Sequence, residues 1–496
     1  MHSNFLALLA LSPIALALSR VGRADELVNC LESSLSPQGS VISPDDSSFA
    51  NDINRFSTYH NPTFRLVSLV TNEDDVRASI NCAKKTGTPF LFTGPRHGTY
   101  MGFDKLKNGL EIFTSAFDNI EIDTQANTMT IGGAVVFKDI SNALYAVGKN
   151  IPVGGGPCVG MVGASLGAGV GRLEGLYGLM IDSLLSVRIM LPNTTVIEAS
   201  TQKNTDLFWG IRGAGFNFGF VLNATFRVYD EVPNGLNFNA DFEFPLSVAE
   251  SFYQALKDEA PTIPAPLCLS TSLSWSSTYN ATTLAVNAVY AGPESDGREA
   301  VQFLQKLGPV LRQNSTEVPW NELTQNTFFL DGNEAIETCG LSYGRRSTMG
   351  ALFNKIEVEA HVSMTEQFNY MVTKYPQMRS SDNGMYFCGT QAVRAVPRNA
   401  TAYPWRQALG HHTWGFVYSD NTTDAEIEYL PEKIRATIAD SAGTDGLAVY
   451  VGFSNGDEPL ESLFSKENLP RLAALKKDYD PDGLFNAYHP LPTHYS

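Results

Sequence analysis

The sequence predicts an α+β protein built in two parts, and three observations carry that expectation. At 496 residues the chain exceeds what one hydrophobic core ordinarily serves. Residues 64–93 read as strand, helix, strand, with a Gly/Pro-containing turn behind them. From about 236 to 440 apolar and polar residues alternate instead, the pattern of an antiparallel sheet with one face covered by helices. The expected divisions are 25–235 and 236–440, with 441–496 returning to the first part.

In chain order, "FLALLALSPIALAL" (5–18) is apolar but short for a bilayer span. Small residues stand at the positions a signal peptidase reads, so 1–19 is expected to be a signal peptide, with cleavage as late as 24. No other stretch is long and apolar enough to cross a membrane. "FRLVSLV" (64–70) is a β-rich run. Thr71 stands as the N-cap of the next helix, with Asp74 at capping-box spacing. Val76, Ile80 and Ala83 then recur at helical intervals until Gly87 closes the helix. "PFLFT" (89–93) is a short buried strand. Residues 128–148 repeat the pattern, with a helix bearing Ile140, Leu144 and Val147 on one side. The stretch 151–182 is dense in glycine, so its backbone can approach a ligand and offer N–H groups to anionic oxygens. It lacks the strand–turn–helix setting of a Rossmann fingerprint. "LNFNADFEF", "LSTSLSW", "TTLAVNAVY" and "HTWGFVYS" are the strands of the second part, with helices expected over 247–258 and 298–312. The tail, 464–492, holds a helix ending in "KKDYDPDGLF".

Charge and composition exclude some functions. A formal net charge of −17 without a basic stripe leaves no surface for nucleic acid. Six cysteines without CxxC spacing, and no HExxH or carboxylate/His cluster, predict no metal site. Six N-x-S/T sequons, at Asn193, Asn223, Asn280, Asn314, Asn399 and Asn421, agree with export and glycosylation. In an oxidising compartment some of the cysteines should pair.

Three blocks then raise a resemblance. The first is the strand–helix–strand unit followed by Thr93-Gly94-Pro95-Arg96-His97-Gly98. The second is "VGMVGASLGAGVGRLEGLYGLMID", and the third is "TDLFWGIRGAGFNFGFV" (205–221), with "YDPDGLF" (479–485) completing the set. Together these are similar to the secreted FAD-linked oxidases of the berberine-bridge-enzyme type, within the vanillyl-alcohol-oxidase-like superfamily. The resemblance implies a two-part FAD-binding domain of PCMH type beside a substrate domain whose antiparallel sheet is covered by helices. It implies FAD bonded covalently through His97, by the flavin 8α-methyl carbon, with neighbouring backbone at the pyrophosphate. The implied cofactor-binding set is Thr93, Gly94, Pro95, Arg96, His97, Gly98, Cys158, Val159, Gly160, Gly163, Ala164, Gly167, Gly169, Tyr177, Gly178, Asp182 and Asn486. Where relatives carry paired glycines this chain has Pro95 and Arg96, and Arg96 could meet a phosphate or point to solvent. Relatives often make a second flavin link from a cysteine. Anchoring on Val159-Gly160 puts Gly156 at that place and Cys158 two residues along, so a bond from Cys158 stays open. The resemblance also implies a Cys30–Cys82 disulfide and leaves Cys268, Cys339 and Cys388 unassigned.

The implied chemistry is two-electron oxidation of a small-molecule substrate, with hydride passing to the flavin and O₂ as acceptor. Relatives supply a base from a Tyr-x-Asn-Tyr stretch; here it reads Tyr450-Val451-Gly452-Phe453, so the second phenol is lost. Tyr450 and Tyr418 are the candidate catalytic residues, with His411 or His412 next, since neighbours on a strand face opposite ways. His361, Tyr343 and Glu359 are further, unranked candidates. A Phe-lined pocket suits an apolar secondary metabolite undergoing dehydrogenation or oxidative ring closure. An extracellular carbohydrate or alcohol oxidase is the alternative, and a flavin-fold glycoprotein without turnover is a third reading. The sequence specifies no oligomeric state.

Overall fold

A computed structural model describes residues 26–329, 344–418 and 425–495. The expected signal peptide, Tyr343, Cys339 and Asn421 lie outside the described residues. Among the described residues three sheets of four or more strands organise the fold, beside a two-stranded pairing of Tyr229–Asp230 with Asn150 and Lys149.

The first has the order β1 (Ser40–Ile42), β2 (Phe64–Leu69), β4 (Gly109–Phe113), β3 (Phe90–Thr93), and β4 runs parallel to both β2 and β3. Helix α1 (Glu73–Thr86) crosses over between β2 and β3, burying Val76, Ile80 and Ala83 as its periodicity requires. Its cap lies one residue later than expected. Asn72 accepts the Asp75 N–H at 3.0 Å, while the Asp75 carboxylate reaches back to the N–H and hydroxyl of Thr71. Gly87, at φ 63°, ends the helix. The expected Cys30–Cys82 disulfide ties the N-terminal helical segment to α1.

The second sheet is antiparallel: β5 (Ile120–Asp123), β6 (Thr128–Gly132), β9 (Phe220–Arg227), β7 (Leu184–Met190), β8 (Val196–Ser200). Helix α2 (Phe137–Tyr145) buries Ile140 and Leu144, but it ends before Val147, which is 42% exposed. Helix α3 (Thr205–Ala214) is followed by a short turn that carries Gly219 to the mouth of β9.

The third sheet has seven antiparallel strands in the order β13 (Arg312–Pro319), β10 (Leu236–Pro245), β12 (Ala281–Tyr290), β11 (Leu267–Ser276), β15 (Asp382–Cys388), β16 (Gly410–Tyr418), β14 (Arg345–Phe353). Its two faces differ, as the alternation requires. Leu269, Leu273, Val286, Phe387, Trp414 and Phe416 join one core beneath helices α4 (Ala249–Glu259), α5 (Val358–Lys374) and α6 (Ala425–Ala439). Their polar neighbours, such as Ser270, Asn287 and Thr413, point to the other face, towards the glycine-rich part of the chain. The helix expected over 298–312 is shorter and broken: it spans Glu294–Ala300 and Gln302–Gln305, and Gly308-Pro309 leads into β13. Cys268 and Cys388, directly paired on β11 and β15, form a disulfide.

The C-terminal segment, with α7 (Leu469–Tyr479), packs into the core that the second sheet shares with α2 and α3. Lys476 and Asp480, both fully buried, form an ion pair at 2.6 Å. Asp480 also accepts the N–H groups of Leu484 and Phe485. This arrangement carries Phe485 and Tyr488 to the wall of the cleft described next.

Candidate active site

A cleft of about 610 Å³ lies where the two smaller sheets, the polar face of the large sheet and the C-terminal segment meet. One wall is the turn after β3. Thr93 donates to the buried carboxylate of Glu111 at 2.6 Å. Arg96 takes a left-handed conformation, φ 59°, at a cost of about 1–2 kcal/mol for a residue with a side chain. Its guanidinium offsets that cost by pairing with Glu111 at 2.8 Å and lying over the Phe113 ring at 3.6 Å. Of the two alternatives for Arg96, the solvent-pointing one does not hold: the side chain turns inward, braces the turn and lines the cleft. The brace presents His97 to the cleft, stacked on Phe56 at 4.1 Å. Burial, aided by the Arg346 cation, holds the His97 imidazole down at about 4, so it is neutral at ordinary pH.

The opposite wall is the glycine-rich stretch. Gly154–Gly156, Val159, Gly160, Gly163 and Ala164 line the cleft. Gly160 packs against Pro95, where a methyl would sit 3.2 Å from Pro95 Cγ. The two segments thus touch, and Pro95 stands where it shapes the turn. A methyl on Gly163 would meet nothing within 4 Å, so this backbone opens onto free space. A flat cofactor fits such a cradle: glycine backbone on one side, a neutral imidazole at one end.

Several residues placed in the cofactor set are not among those that line the cleft. Cys158 is disulfide-bonded, which leaves no thiolate for a flavin bond. A methyl on Gly167 would come within 2.2 Å of Val451 Cγ1. Gly169, at φ 77°, packs on Met180. Tyr177 stacks on Tyr229 at 3.8 Å. Gly178, at φ 82°, precedes a turn in which Asp182 accepts the Leu179 N–H and pairs with buried Arg406 at 2.6 Å. Asn486 is exposed behind Gly483. Gly167, Gly169, Tyr177, Gly178 and Asp182 thus meet protein neighbours, a role that sequence alone does not separate from ligand contact.

The catalytic candidates divide the same way. Tyr450 reaches the cleft, but its hydroxyl donates to the Ala164 carbonyl at 3.0 Å, and burial pushes its titration up. It is a protonated strut between the C-terminal segment and the glycine wall. Phe453 lines the cleft, and Gly350 leaves it room: a methyl there would sit 2.9 Å from Phe453 Cβ. Tyr418 does not line the cleft; it stacks on Tyr59 at 4.9 Å and shares a hydrogen bond with Ser347. His411 and His412 face opposite ways, as strand geometry demands. His411 lies towards Tyr450 and Phe453, whereas His412 stacks on Trp414 within the helix-covered core. His361 belongs to that core and Glu359 is exposed on α5.

The large sheet contributes residues that sequence reasoning missed. Arg346, Thr348, Asp382, Tyr386 and Thr413 line the cleft from three adjacent strands. Arg346 pairs with Asp382 at 2.5 Å by crossing the strand between them. Gly415 permits the crossing, since a methyl there would sit 1.7 Å from Arg346 Nη2. Arg55, also lining the cleft and 3% exposed, lies over Phe103 at 4.8 Å. The period-two alternation marked these strand positions as one face, but nothing local marked that face as the site.

Comparison with known proteins agrees with this geometry. Residues 64–200 match the family "FAD binding domain", and residues 449–492 match "Berberine and berberine like". The chain is 33% identical over 497 residues to FAD-linked oxidoreductase tazL of Aspergillus terreus, covering 99% of this chain and 100% of that one. Among solved structures, wild-type BBE-like 1 of Physcomitrella patens has a TM-score of 0.85 at 20% identity, covering 95% of this chain and 100% of that one. Glucooligosaccharide oxidase from Acremonium strictum, described with a 6-S-cysteinyl, 8α-N1-histidyl FAD, has a TM-score of 0.81 at 20% identity, covering 95% and 100%. On the sequence relationship, with the fold in agreement, the chain belongs to the berberine-bridge-enzyme-like FAD-linked oxidoreductases with a PCMH-type FAD-binding domain.

Proposed function

We propose that this enzyme is a secreted oxidase that carries FAD on His97, oxidises a medium-sized, rather apolar natural product, and uses O₂ as acceptor with release of H₂O₂. Bound FAD supplies a two-electron acceptor for substrate hydride. The observation that carries the reading is the neutral His97 imidazole, whose lone pair is free to bond and whose place on the cleft wall is set by the braced turn. With Cys158 in a disulfide, His97 is the one tether expected from the resemblance that keeps its reactive atom. Phe453 and Phe216 line the cleft where an apolar substrate would rest, and Phe453 cannot take a proton. Export is supported by the disulfides and by the exposed sequons at Asn193, Asn280, Asn314 and Asn399; Asn223, half-buried on β9 between two strands, suits a glycan poorly.

Denaturation tests the tether. Purified protein should be yellow and keep its flavin after unfolding, and His97→Ala should release the flavin or prevent loading. If Cys158→Ala alone released all of it, the tether would be misassigned. One observation favours a carbohydrate substrate instead: hydroxyls of Thr348 and Thr413 stand on the cleft face of the sheet. Assaying H₂O₂ release on oligosaccharides and on polycyclic phenols separates the two readings.

A further inference from the structure

The helical layer over the large sheet carries an open groove that the oxidase reading leaves unused. It measures about 710 Å³ and lies where the start of α4 runs beside the later turns of α5. Leu246, Val362 and Tyr370 give it apolar surface, and Ser247, Asn369 and Thr373 give it hydroxyl and amide groups. The Tyr370 side chain is 47% exposed, and Lys374 donates to its hydroxyl at 2.8 Å. Glu250 and Glu366 outnumber Lys374 on the groove walls, so an anion meets net repulsion and a neutral polar ligand does not. A sugar ring has that character. It offers an apolar C–H face and a rim of hydroxyls, which a tyrosine face beside polar side chains can match.

A glycan acceptor stands at the edge of this groove. A hairpin joins β11 to β12, and its last residue, Asn280, is exposed with a φ of 48°. Asn280-Ala281-Thr282 is an N-x-T sequon. Thr282 is 3% exposed and donates its hydroxyl to Asn369 Oδ1 at 2.8 Å. Asn369 lines the groove, and the Thr373 hydroxyl, on the same helix, bonds to the same oxygen. The sequon is thus fastened to the groove at its third residue, while the acceptor asparagine stays in solvent. A glycan rooted there begins beside the groove, and its covalent root holds the sugars at a local concentration on the order of millimolar. Contacts too weak to capture a free sugar then suffice.

We propose that Asn280 carries an N-linked glycan whose first sugars lie in this groove, packed on Tyr370 and hydrogen-bonded to the hydroxyl and amide groups around it. This rests on the export reading, since the transfer takes place along that route. The step breaks an Nδ2–H bond of Asn280 and the bond from the sugar's anomeric carbon to a lipid diphosphate. A new bond joins Nδ2 to that carbon; the diphosphate leaves with the electron pair, and the proton goes to solvent. The glycan then shields Tyr370 and ties the hairpin to α4 and α5 across the groove.

The test uses the full chain secreted from a eukaryotic host, treated in its native state with a peptide N-glycanase and read by glycopeptide mass spectrometry. The Asn280 glycan should come off about tenfold more slowly than those at exposed Asn193 and Asn399, the factor that about 1.4 kcal/mol of contact supplies. From denatured protein all should be released alike. Tyr370→Ala should bring the Asn280 rate to that of the others with occupancy unchanged. Asn280→Gln should speed nitration of Tyr370 by tetranitromethane, and this measurement decides should Tyr370→Ala fail to be secreted. A bare Asn280 beside occupied Asn193 and Asn399 overturns the proposal. So does release at Asn280 as fast as elsewhere, or slow release that Tyr370→Ala leaves unchanged. Asn280→Gln protein that dimerises with Tyr370 still protected gives the groove to a second copy and overturns it too. A chain retained in the cell and bare at every sequon sinks the export reading itself, and the proposal with it.

Discussion

Acidification should destabilise this protein steeply between about pH 6.5 and 4.5, because four imidazoles besides His97 are buried uncharged. Burial holds His361 at about 4 and His411 and His489 at about 3, and holds His412 well below the ordinary value. In the unfolded chain each titrates near 6.5. Their folded values are depressed, so their contribution is complete above pH 6.5 and lost as the pH falls towards the folded values. Below about pH 5.5 the unfolded state holds close to four protons that the native state lacks. Three carboxyls act in the opposite direction, and burial raises Glu458 as well as the two that follow. Burial raises Glu174 and Glu231 to about 7, so the native state keeps protons that the unfolded state releases above about pH 4.5. Glu174 is buried and opposes by a full proton, whereas Glu231 is half-buried and screened, and opposes by less. The balance is about two protons taken up on unfolding. At 1.36 kcal/mol per proton and pH unit, stability should fall by about 3 kcal/mol from pH 6 to pH 5. That is a large part of the roughly 5–15 kcal/mol typical of a folded protein. Urea unfolding followed by tryptophan fluorescence at the two pH values measures it. His412→Phe should reduce the slope by about one proton. A denaturation midpoint that is flat or higher at pH 5 would refute the reasoning.

Other outcomes follow from the same contacts. Gly415→Ala should drive the Arg346 guanidinium off Asp382 with little change in melting temperature, and alter turnover tenfold or more; equal turnover would show that the pair is idle. Gly163→Trp should fold, since nothing crowds the position, yet take up far less flavin, as read from the ratio of visible to ultraviolet absorbance. Removing the Cys30–Cys82 bond, which spans 52 residues, should cost about 4 kcal/mol in chemical denaturation, the chain-entropy value for such a loop.

Much of the fold was legible in the sequence because its signals are local. Val76, Ile80 and Ala83 recur at helical spacing, Gly87 takes the left-handed cap, and Leu269 and Leu273 alternate with serines on β11. Where local rules compete, the reading slipped: Asn72 displaced Thr71 as the cap because the Asp75 carboxylate claimed Thr71, and the helix beyond 298 broke ahead of Gly308-Pro309. The site was legible in part. The turn with His97 and the glycines at 160 and 163 line the cleft, whereas Gly167, Gly169, Tyr177 and Asp182 share the same motif but face into packing.

The sequence by itself determined the membership of the chain, its strand and helix periodicities, and the place of His97 in a turn after a strand. Tertiary structure alone decided that Arg96 turns inward to Glu111, that Cys158 is spent in a disulfide, and that Tyr386 and Arg172, far apart in the chain, end at one glycine. The physical reason is range. Periodicity and capping act over one or two turns of chain, but a cleft is the gap left when three sheets pack, and which polar groups face it depends on contacts hundreds of residues apart.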